Sequence, residues 1–283
     1  MSTVGERTSP WGRFLLYLLL LSVASGMLFP FAWLLRSSLC DERSVIQPMQ
    51  SVADLIPPTM HPENYIEVFQ AIPFFRYLLN TVIITGCVVA GTIISSSLCA
   101  HAFSFFRVSH GQLLFYGVLA TMMLPAVVTL IPVFILFREL GWIDTLKPLT
   151  IPAFFGNAFA IFLFRQFFRG LPRDLIEASR IDGATSMDIH WRVVMPLSRP
   201  VIVTVAIFSF MNSWNDFMGP LIFLNSQENW TLQVGLQSFQ GQVVNQWNLL
   251  MAATVLVLAP VLAVFFSLQR YFIRGIALTG IKG

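Results

Sequence analysis

The sequence predicts an all-α, polytopic membrane protein with six transmembrane helices. Hydrophobic residues make up 56% of the 283 residues, only 11% are charged and the mean hydropathy is +0.73, which lies outside the range of soluble domains. Lipid offers no partner to free backbone groups, so apolar runs of roughly 20 residues cross a bilayer as helices. Six such runs cover about 14–35, 77–102, 112–137, 149–168, 200–224 and 248–272.

The first run follows a polar segment, residues 1–13, which is predicted to be cytoplasmic. A secretory signal peptide begins in a similar way, but its apolar core has only about 7–15 residues. This run is close to the length of a full span, so we interpret it as an uncleaved first helix. The longest segment outside the membrane, 36–76, follows it, and the stretch 64–69 predicts a short helix there. No linker or internal repeat divides residues 14–283, which are interpreted as one domain with a core of about 77–272.

Orientation follows from the distribution of basic residues. If the N terminus is inside, 12 of the 17 Lys and Arg residues lie in inner segments and 5 in outer segments. The excess of positive charge on one side predicts that both termini face the cytoplasm. The net charge of +3 reflects basic residues beside the spans, which favours a topology signal over nucleic-acid binding.

No catalytic or metal-binding residue is predicted. The sequence has no G-x-x-x-x-G-K-[ST] phosphate loop and no H-E-x-x-H motif, and its four histidines are scattered without ligand spacing. Cys40, Cys87 and Cys99 have neither metal nor redox spacing and are interpreted as small apolar side chains. The chain is therefore not expected to be an enzyme, and it cannot hydrolyse ATP itself.

A polar segment, residues 172–199, lies between the fourth and fifth apolar runs. Gly183 predicts a break between two short helices, because glycine adopts the left-handed conformation that ends a helix. Thr185 and Asp188 have the spacing of a capping box, which predicts the start of the second helix. Three apolar residues at spacings of four and three are expected on one face of it: Met187, Trp191 and Val194. Such a segment suits contact with a partner; the alternative is an interfacial helix on lipid headgroups.

This segment resembles the EAA loop of ABC importer permeases, whose pattern is Glu-Ala-Ala, three residues, Gly, nine residues and Ile-x-Leu-Pro. Here it is EASRIDGATSMDIHWRVVMP, from Glu177 to Pro196, with every spacing intact and with Ser, Val and Met replacing Ala, Ile and Leu. The phrase RIDGA resembles the carbohydrate-importer branch, and ENYIEVF, LLNTVIIT, SWNDFMGPLIFL and RYFIRGIALTGIKG also resemble this family. The resemblance covers most of residues 60–283 and is to the shorter permease of the maltose-type pair.

The resemblance implies the type I ABC importer permease fold, with residues 14–283 as the transmembrane domain and 172–199 as the coupling loop. The coupling helix of this family sits in a cleft of the ATP-hydrolysing subunit. Seven residues carry over to that role: Glu177, Ala178, Ser179, Asp182, Gly183, Ala184 and Pro196.

The same resemblance implies the protein's surroundings. The chain would be a multi-pass permease of a bacterial cytoplasmic (inner) membrane that imports a carbohydrate, an oligosaccharide or related polyol. Its implied partners are a second permease in a heterodimer, two ATP-binding subunits, an extracytoplasmic substrate-binding protein and membrane lipid. The chain itself holds no cofactor, because ATP and Mg²⁺ would be bound by the partner ATPase.

The fifth apolar run contains the most polar patch inside any span. An ionisable group at this depth costs at least a few kcal/mol and normally faces protein or a watery cavity. The patch is therefore a candidate lining for the path of a hydroxyl-rich solute; the alternative is hydrogen bonding between helices. The candidate residues are Asn212, Trp214, Asn215, Asp216 and Gly219, with Ser209 on the same helix face.

The segment 225–248, predicted to lie outside, has no Lys or Arg and is rich in amides and indoles. Neutral donors, acceptors and stacking faces suit contact with carbohydrate or with a protein that holds one. The alternative is a solvated loop in which Trp230 and Trp247 anchor the chain at the membrane interface.

Three other functions are considered. An ABC importer permease for a non-sugar solute would share the coupling loop. An ion-coupled secondary carrier would need intramembrane carboxylates, and Asp216 is almost alone. A membrane scaffold without transport would not need a polar fifth span.

Overall fold

The computed structural model describes residues 10–48, 50–106, 109–240 and 246–279. The regular elements in these residues are helices, so the all-α architecture is confirmed. The α-helices are α1 (Pro10–Ser38), α2 (Glu42–Ile46), α3 (Asn64–Ala71), α4 (Phe74–Phe105), α5 (Gly111–Thr121), α6 (Ala126–Glu139), α7 (Lys147–Thr150), α8 (Ala158–Phe168), α9 (Arg173–Ile181), α10 (Ser186–Asp188), α11 (Met195–Leu197), α12 (Arg199–Trp214), α13 (Met218–Phe223), α14 (Leu232–Gln237) and α15 (Trp247–Thr279). Three 3₁₀ turns, Val52–Leu55, Ile151–Phe155 and Gln227–Asn229, and a π-helical stretch, Ile189–Val194, lie between them.

Four helical stretches of the described chain are long and apolar enough to cross a membrane. They are Trp11–Ser38, Phe74–Phe105, Lys147–Phe168 and Trp247–Ser267. They coincide with the first, second, fourth and sixth predicted runs. A fifth span results if Ser186–Leu197 and Arg199–Trp214, which meet at an angle of 83°, count as one.

The third and fifth apolar runs are not continuous helices, which corrects the sequence-based expectation. The third run divides into α5 and α6 before Pro125, whose ring disfavours a helical conformation for the residue in front of it. The fifth run divides into α12 and α13, since Pro220 cannot donate a hydrogen bond to the carbonyl of Asp216. The total of six spans stays a prediction.

Contacts divide the chain into two compact units, of which the first comprises Met1–Ile72 and Ser238–Ala259. In this unit the short helix α3, which the sequence predicted, is hydrogen-bonded to the end of α1 and to α15 through Asn64. The buried Asn64 amide donates to the carbonyls of Ser38 (3.0 Å) and Cys40 (2.9 Å), and it accepts from the Asn248 amide. These bonds fix the chain where it leaves α1.

The second unit comprises Pro73–Gln237 and Pro260–Gly283. In it, α4 is the central helix and packs against α8, α12 and the 3₁₀ turn Ile151–Phe155. Small polar side chains allow this close packing: the Ser95 hydroxyl donates to the carbonyl of Ala153, and the Ser96 hydroxyl accepts from the N–H of Asn157. A buried apolar cluster joins α4, α5, α8, α12 and the segment between α8 and α12: Ala100, Phe115, Ala160, Ile161, Phe164, Phe168, Ile176, Ile189, Val194, Met195, Val201 and Val205.

Candidate functional site

The coupling segment, defined as residues 172–199, makes the turn that its sequence predicts. Helix α9 ends at Ile181, and Gly183 has φ +82°, the left-handed conformation that side chains resist. The N–H of Gly183 donates to the carbonyl of Arg180 and that of Ala184 to the carbonyl of Ser179, both at 3.0 Å. These bonds satisfy carbonyls at the helix end. Gly183 therefore sets the angle between the two halves of the segment.

The second half of the segment begins with the predicted capping box. The Thr185 hydroxyl accepts from the N–H of Asp188 at 3.2 Å, and the Asp188 carboxylate accepts from the N–H of Thr185 at 3.2 Å. Two backbone donors that the helix start would leave unpaired are thus satisfied.

The prediction that three apolar residues share the buried face of this second helix is wrong for two of them. Val194 is buried, but Met187 is 54% and Trp191 43% exposed. The reason is the π-helical stretch Ile189–Val194, whose wider turn replaces the 3.6-residue period. Its buried side chains are Ile189, His190 and Val194.

Two histidines that the sequence left unassigned meet at this point. The rings of His190 and of His101 in α4 lie 5.0 Å apart between centroids, nearly perpendicular. The Nε2 atom of His190 is 3.4 Å from the Ser97 hydroxyl, and its ring also contacts Phe168 of α8. Within the described residues, no three His, Cys, Asp or Glu side chains come close enough to hold a metal ion. The histidine pair therefore packs the coupling segment onto α4 and α8.

The opposite side of the coupling segment is exposed and carries the residues that the sequence singled out. Glu177, Ala178, Asp182, Gly183 and Pro196 are exposed, and Ser179 and Ala184 are partly buried. The apolar side chains beside them are exposed too, Ile181 by 86% and Leu175 by 44%. Exposed apolar side chains rimmed by polar ones are typical of a protein–protein contact.

A cavity of about 500 Å³ lies in the second unit, farther along α4 and α12. Its size falls in the range of small-ligand pockets, roughly 300–1,000 Å³. Its lining residues are Thr81, Ile84, Val88, Thr92, Val133, Phe137, Pro148, Leu149, Pro152, Ala153, Gly156, Asn157, Asn212, Ser213, Trp214, Asp216, Gly219, Pro220, Phe223 and Thr231.

Four of the five predicted path residues line this cavity, namely Asn212, Trp214, Asp216 and Gly219. Asn215 is not among the lining residues, and its amide donates to the carbonyl of Met211 at 2.8 Å. The break after α12 therefore turns Asn215 away from its neighbours in the polar patch. A second cavity of about 300 Å³ shares Asn212 and includes Ser209.

The carboxylate of Asp216 is held in place at the cavity wall. One of its oxygens accepts from the N–H of Gly219 at 3.1 Å. A Cβ atom at Gly219 would lie 2.5 Å from the other carboxylate oxygen and 3.1 Å from the Leu149 side chain, so a larger residue would displace the Asp216 carboxylate. Gly219 thus has a structural role in addition to lining the cavity.

Asn157 lines both cavities and was not selected from the sequence. Its side-chain oxygen caps α8 by accepting from the N–H of Ala160 at 3.0 Å. An asparagine directly before an apolar run is a typical helix start signal, which could have placed it at a helix end. Its position next to Asn212 depends on tertiary packing.

The amide-rich segment 225–248 is only partly described, because Gln242 and Asn245 lie outside the described residues. Its first part is bound to the rest of the second unit: the Asn80 amide donates to the carbonyls of Glu228 and Trp230, both at 2.9 Å. Gln237 and Gln240 are exposed. The Trp230 ring lies 6.2 Å from the ring of Tyr77.

Asp144 is the acceptor that holds the start of this segment. Its carboxylate accepts from the N–H groups of Asn225 (2.9 Å) and Ser226 (2.8 Å), from the Ser226 hydroxyl and from the Asn229 amide. These bonds, first among them the Ser226 hydroxyl, lower the pKa of Asp144 from 3.8 to about 2. No pattern in the sequence predicts this contact across 81 residues.

Comparison with known proteins extends over nearly the whole chain. The chain is 32% identical over 272 residues to the arabinooligosaccharides transport system permease protein AraQ of Bacillus subtilis (strain 168), covering 96% of each. It is 33% identical over 259 residues to the sn-glycerol-3-phosphate transport system permease protein UgpE of Yersinia enterocolitica, covering 88% of this chain and 90% of that one.

A solved structure has the same fold. It is a crystal structure of a bacterial ABC transporter involved in the import of the acidic polysaccharide alginate, and one of its chains matches with a TM-score of 0.83 and 25% identity. The match covers 96% of this chain and 100% of that chain. The type I importer permease fold that the sequence implied is therefore confirmed.

The family model for the binding-protein-dependent transport system inner membrane component matches residues 93–278, more than half of the chain. The chain thus belongs to the family of inner membrane components of binding-protein-dependent transport systems, the permease subunits of ABC importers.

Proposed function

We propose that this chain is the permease subunit of an ATP-driven importer for a carbohydrate, an oligosaccharide or related polyol. It forms half of the translocation path together with a second permease. Two ATPase subunits, which bind ATP and Mg²⁺, dock on the exposed side of the coupling segment, and a substrate-binding protein delivers the solute on the opposite side of the membrane. Both termini and the coupling segment face the cytoplasm, where ATP is found.

One observation carries the proposal: the exposed coupling segment and the cavity belong to one packed body. The buried face of the segment, Ile176, Ile189, Val194 and Met195, shares an apolar cluster with α4 and α12. The same two helices line the cavity at Thr81–Thr92 and Asn212–Trp214. A displacement of the segment is therefore transmitted to the cavity wall through close-packed side chains.

The mechanism follows from this connection. ATP binding closes the ATPase dimer and carries the coupling segment with it. Because Gly183 and the capping box fix the angle within the segment, the segment moves as a unit and shifts α4 and α12. The cavity then opens to one side of the membrane or the other, as two-state rigid-body transitions require.

The choice of carbohydrate rests on the relatives and on the cavity. AraQ is a permease for arabinooligosaccharides by name, and the solved neighbour belongs to a polysaccharide importer. The cavity offers neutral hydroxyl and amide groups, which suit a solute rich in hydroxyls. An ion-coupled carrier has less support, since Asp216 is the only acidic residue among the described residues of the cavity wall.

The test is an affinity purification of this chain from its native membrane, with co-purifying proteins identified by mass. Wild type is compared with Glu177→Lys on the exposed coupling surface and with Glu67→Lys, an equal charge change on exposed α3. We expect an ATPase and a second permease with wild type and Glu67→Lys, and loss of the ATPase with Glu177→Lys. A wild-type chain that purifies alone or with copies of itself would contradict the proposal.

A further inference from the structure

We infer that the cavity accepts neutral, hydroxyl-rich solutes and rejects anionic ones, with Asp216 as the specificity-determining residue. This inference rests on the proposed carbohydrate import and narrows its substrate class. The relatives divide on this point, because sn-glycerol-3-phosphate and the acidic polysaccharide alginate carry negative charge. An arabinooligosaccharide is a polymer of a neutral pentose and carries no charge.

The charge of the cavity wall disfavours an anionic solute. Asp216 is the only ionisable side chain among the described lining residues. Lys147 precedes the lining residue Pro148 but is exposed and is not itself part of the wall. The other polar groups on the wall are neutral: Thr81, Thr92, Asn157, Asn212, Ser213 and Thr231. A permease for an anionic solute would need a cationic group or a cluster of donors where this chain has a carboxylate.

The carboxylate of Asp216 has no ionic partner among the described residues and is oriented by a hydrogen bond. The ion pairs in the described part of the chain do not include it. Its hydrogen bond to the N–H of Gly219 holds the carboxylate at the wall. An unpaired carboxylate repels an anion over several ångströms, to an extent that depends on screening by water and salt.

The cavity wall also has amide groups that remain available to a neutral solute. The side-chain amide of Asn212 is exposed and makes no hydrogen bond to the described residues. The Asn157 side chain uses its oxygen on Ala160, which leaves its NH₂ group as a donor. With the second oxygen of Asp216, these amides supply donors and acceptors of the kind that sugar hydroxyls need.

The test measures the charge selectivity of the cavity without knowledge of the solute. In the assembled importer, with Cys40, Cys87 and Cys99 each replaced by Ala, Asn212→Cys places a thiol on the cavity wall. Its reaction rate is measured with methanethiosulfonate reagents that carry a neutral hydroxyethyl, an anionic sulfonatoethyl or a cationic trimethylammonioethyl group. Each rate is divided by the reagent's rate with free 2-mercaptoethanol.

We expect the normalised anionic rate to be lower than the neutral rate by about tenfold, and the cationic rate to be higher. Adding Asp216→Asn should bring the three rates together. Equal normalised rates for the three reagents in the presence of Asp216 would overturn the inference. A rate difference that persists unchanged in Asp216→Asn would also overturn the inference.

A second measurement needs no substitution at Asp216, in case that variant fails to assemble. Raising the salt concentration from ~20 to ~500 mM shortens the range of charge repulsion, so the anionic rate should rise while the neutral rate stays constant. An anionic rate that does not respond to salt would contradict the inference.

Failure of the inference and failure of the proposed function are distinguishable. Uptake of labelled arabinooligosaccharide by the complete importer together with equal reagent rates would contradict the inference alone. Charge-selective labelling in an importer that takes up none of a panel of neutral oligosaccharides and polyols would contradict the proposed carbohydrate import.

Discussion

At the scale of single residues, backbone conformation and local charge decide what each position tolerates. Gly183 has no heavy atom within 4 Å of the place where a Cβ atom would lie, so space does not demand glycine there. Its φ of +82° does. Asp144 also has a positive φ, +61°, but aspartate and asparagine adopt this conformation more readily than other side chains do.

Gly183→Val should strongly reduce ATP-coupled uptake while leaving membrane insertion intact. A β-branched residue resists the left-handed conformation, whose cost of roughly 1–2 kcal/mol would be relieved by reorienting the turn. Gly183→Asn is the matched control, because asparagine tolerates this conformation and should retain most of the uptake. Both variants are compared by uptake in proteoliposomes at equal protein amounts. Wild-type uptake in Gly183→Val would argue against a coupling role for the turn.

Asp144 should stabilise the protein in a pH-dependent manner. Its pKa is about 2 in the folded chain and 3.8 ordinarily, so the folded state favours the ionised form. The stabilisation is complete above pH 4 and is lost as the pH falls toward 2. Asp144→Asn keeps the tolerated backbone conformation but removes the charge. Its melting temperature in detergent should be below wild type at pH 7, and the difference should shrink at pH 3. A difference that is the same at both pH values would exclude this explanation.

At the scale of elements, the start of the second helix of the coupling segment is set by its local sequence, whereas the residues on its buried face depend on its packing against the rest of the fold. The capping box starts the helix, and the π-helical stretch then turns His190 inward and leaves Trp191 exposed. An uninterrupted α-helix would have given the face that the sequence predicted. The exposed surface that is proposed to contact the ATPase therefore depends on this change of helical period.

Thr185→Ala should loosen the second half of the coupling segment without unfolding the chain. Loss of an N-cap costs about 1 kcal/mol, which corresponds to roughly fivefold faster local opening. Hydrogen exchange of the amides of Ile189–Val194 should accelerate by about that factor. Ser186→Ala, the exposed neighbouring position, is the control and should leave their exchange unchanged. Equal exchange in Thr185→Ala and wild type would show that tertiary packing alone holds the segment.

At the scale of the whole molecule, the chain is one permease subunit whose transport depends on partners. The sequence has no phosphate loop, and the cavity wall has too few carboxylates for the ion relay of a secondary carrier. Permeases of ABC importers depend on ATPase subunits for the energy of transport, and the proposed contact for these subunits is the coupling segment.

Removal of the partner ATPase should therefore abolish uptake of labelled oligosaccharide, to below roughly one hundredth of the wild-type rate. Dissipation of ion gradients by ionophores, with ATP maintained, should leave wild-type uptake nearly unchanged. Both are measured as initial rates in the native cells. Uptake that survives without the ATPase but stops with ionophores would identify an ion-coupled carrier.

The sequence by itself determined the features that depend on neighbouring residues. Four of the apolar runs correspond to helical stretches long enough to cross a membrane, because a helix satisfies its own backbone groups. Gly183 and the pair Thr185 and Asp188 gave the turn and the cap, because these interactions span at most a few residues.

Only the tertiary structure decided which distant residues meet. Asn157 and Asn212 line the same cavities, His101 packs on His190, and Asp144 holds the segment that begins at Asn225. The π-helical period of Ile189–Val194 was also decided there. The physical reason is that packing chooses among local conformations of similar free energy, and contacts across 50 to 90 residues leave no periodic signal in the sequence.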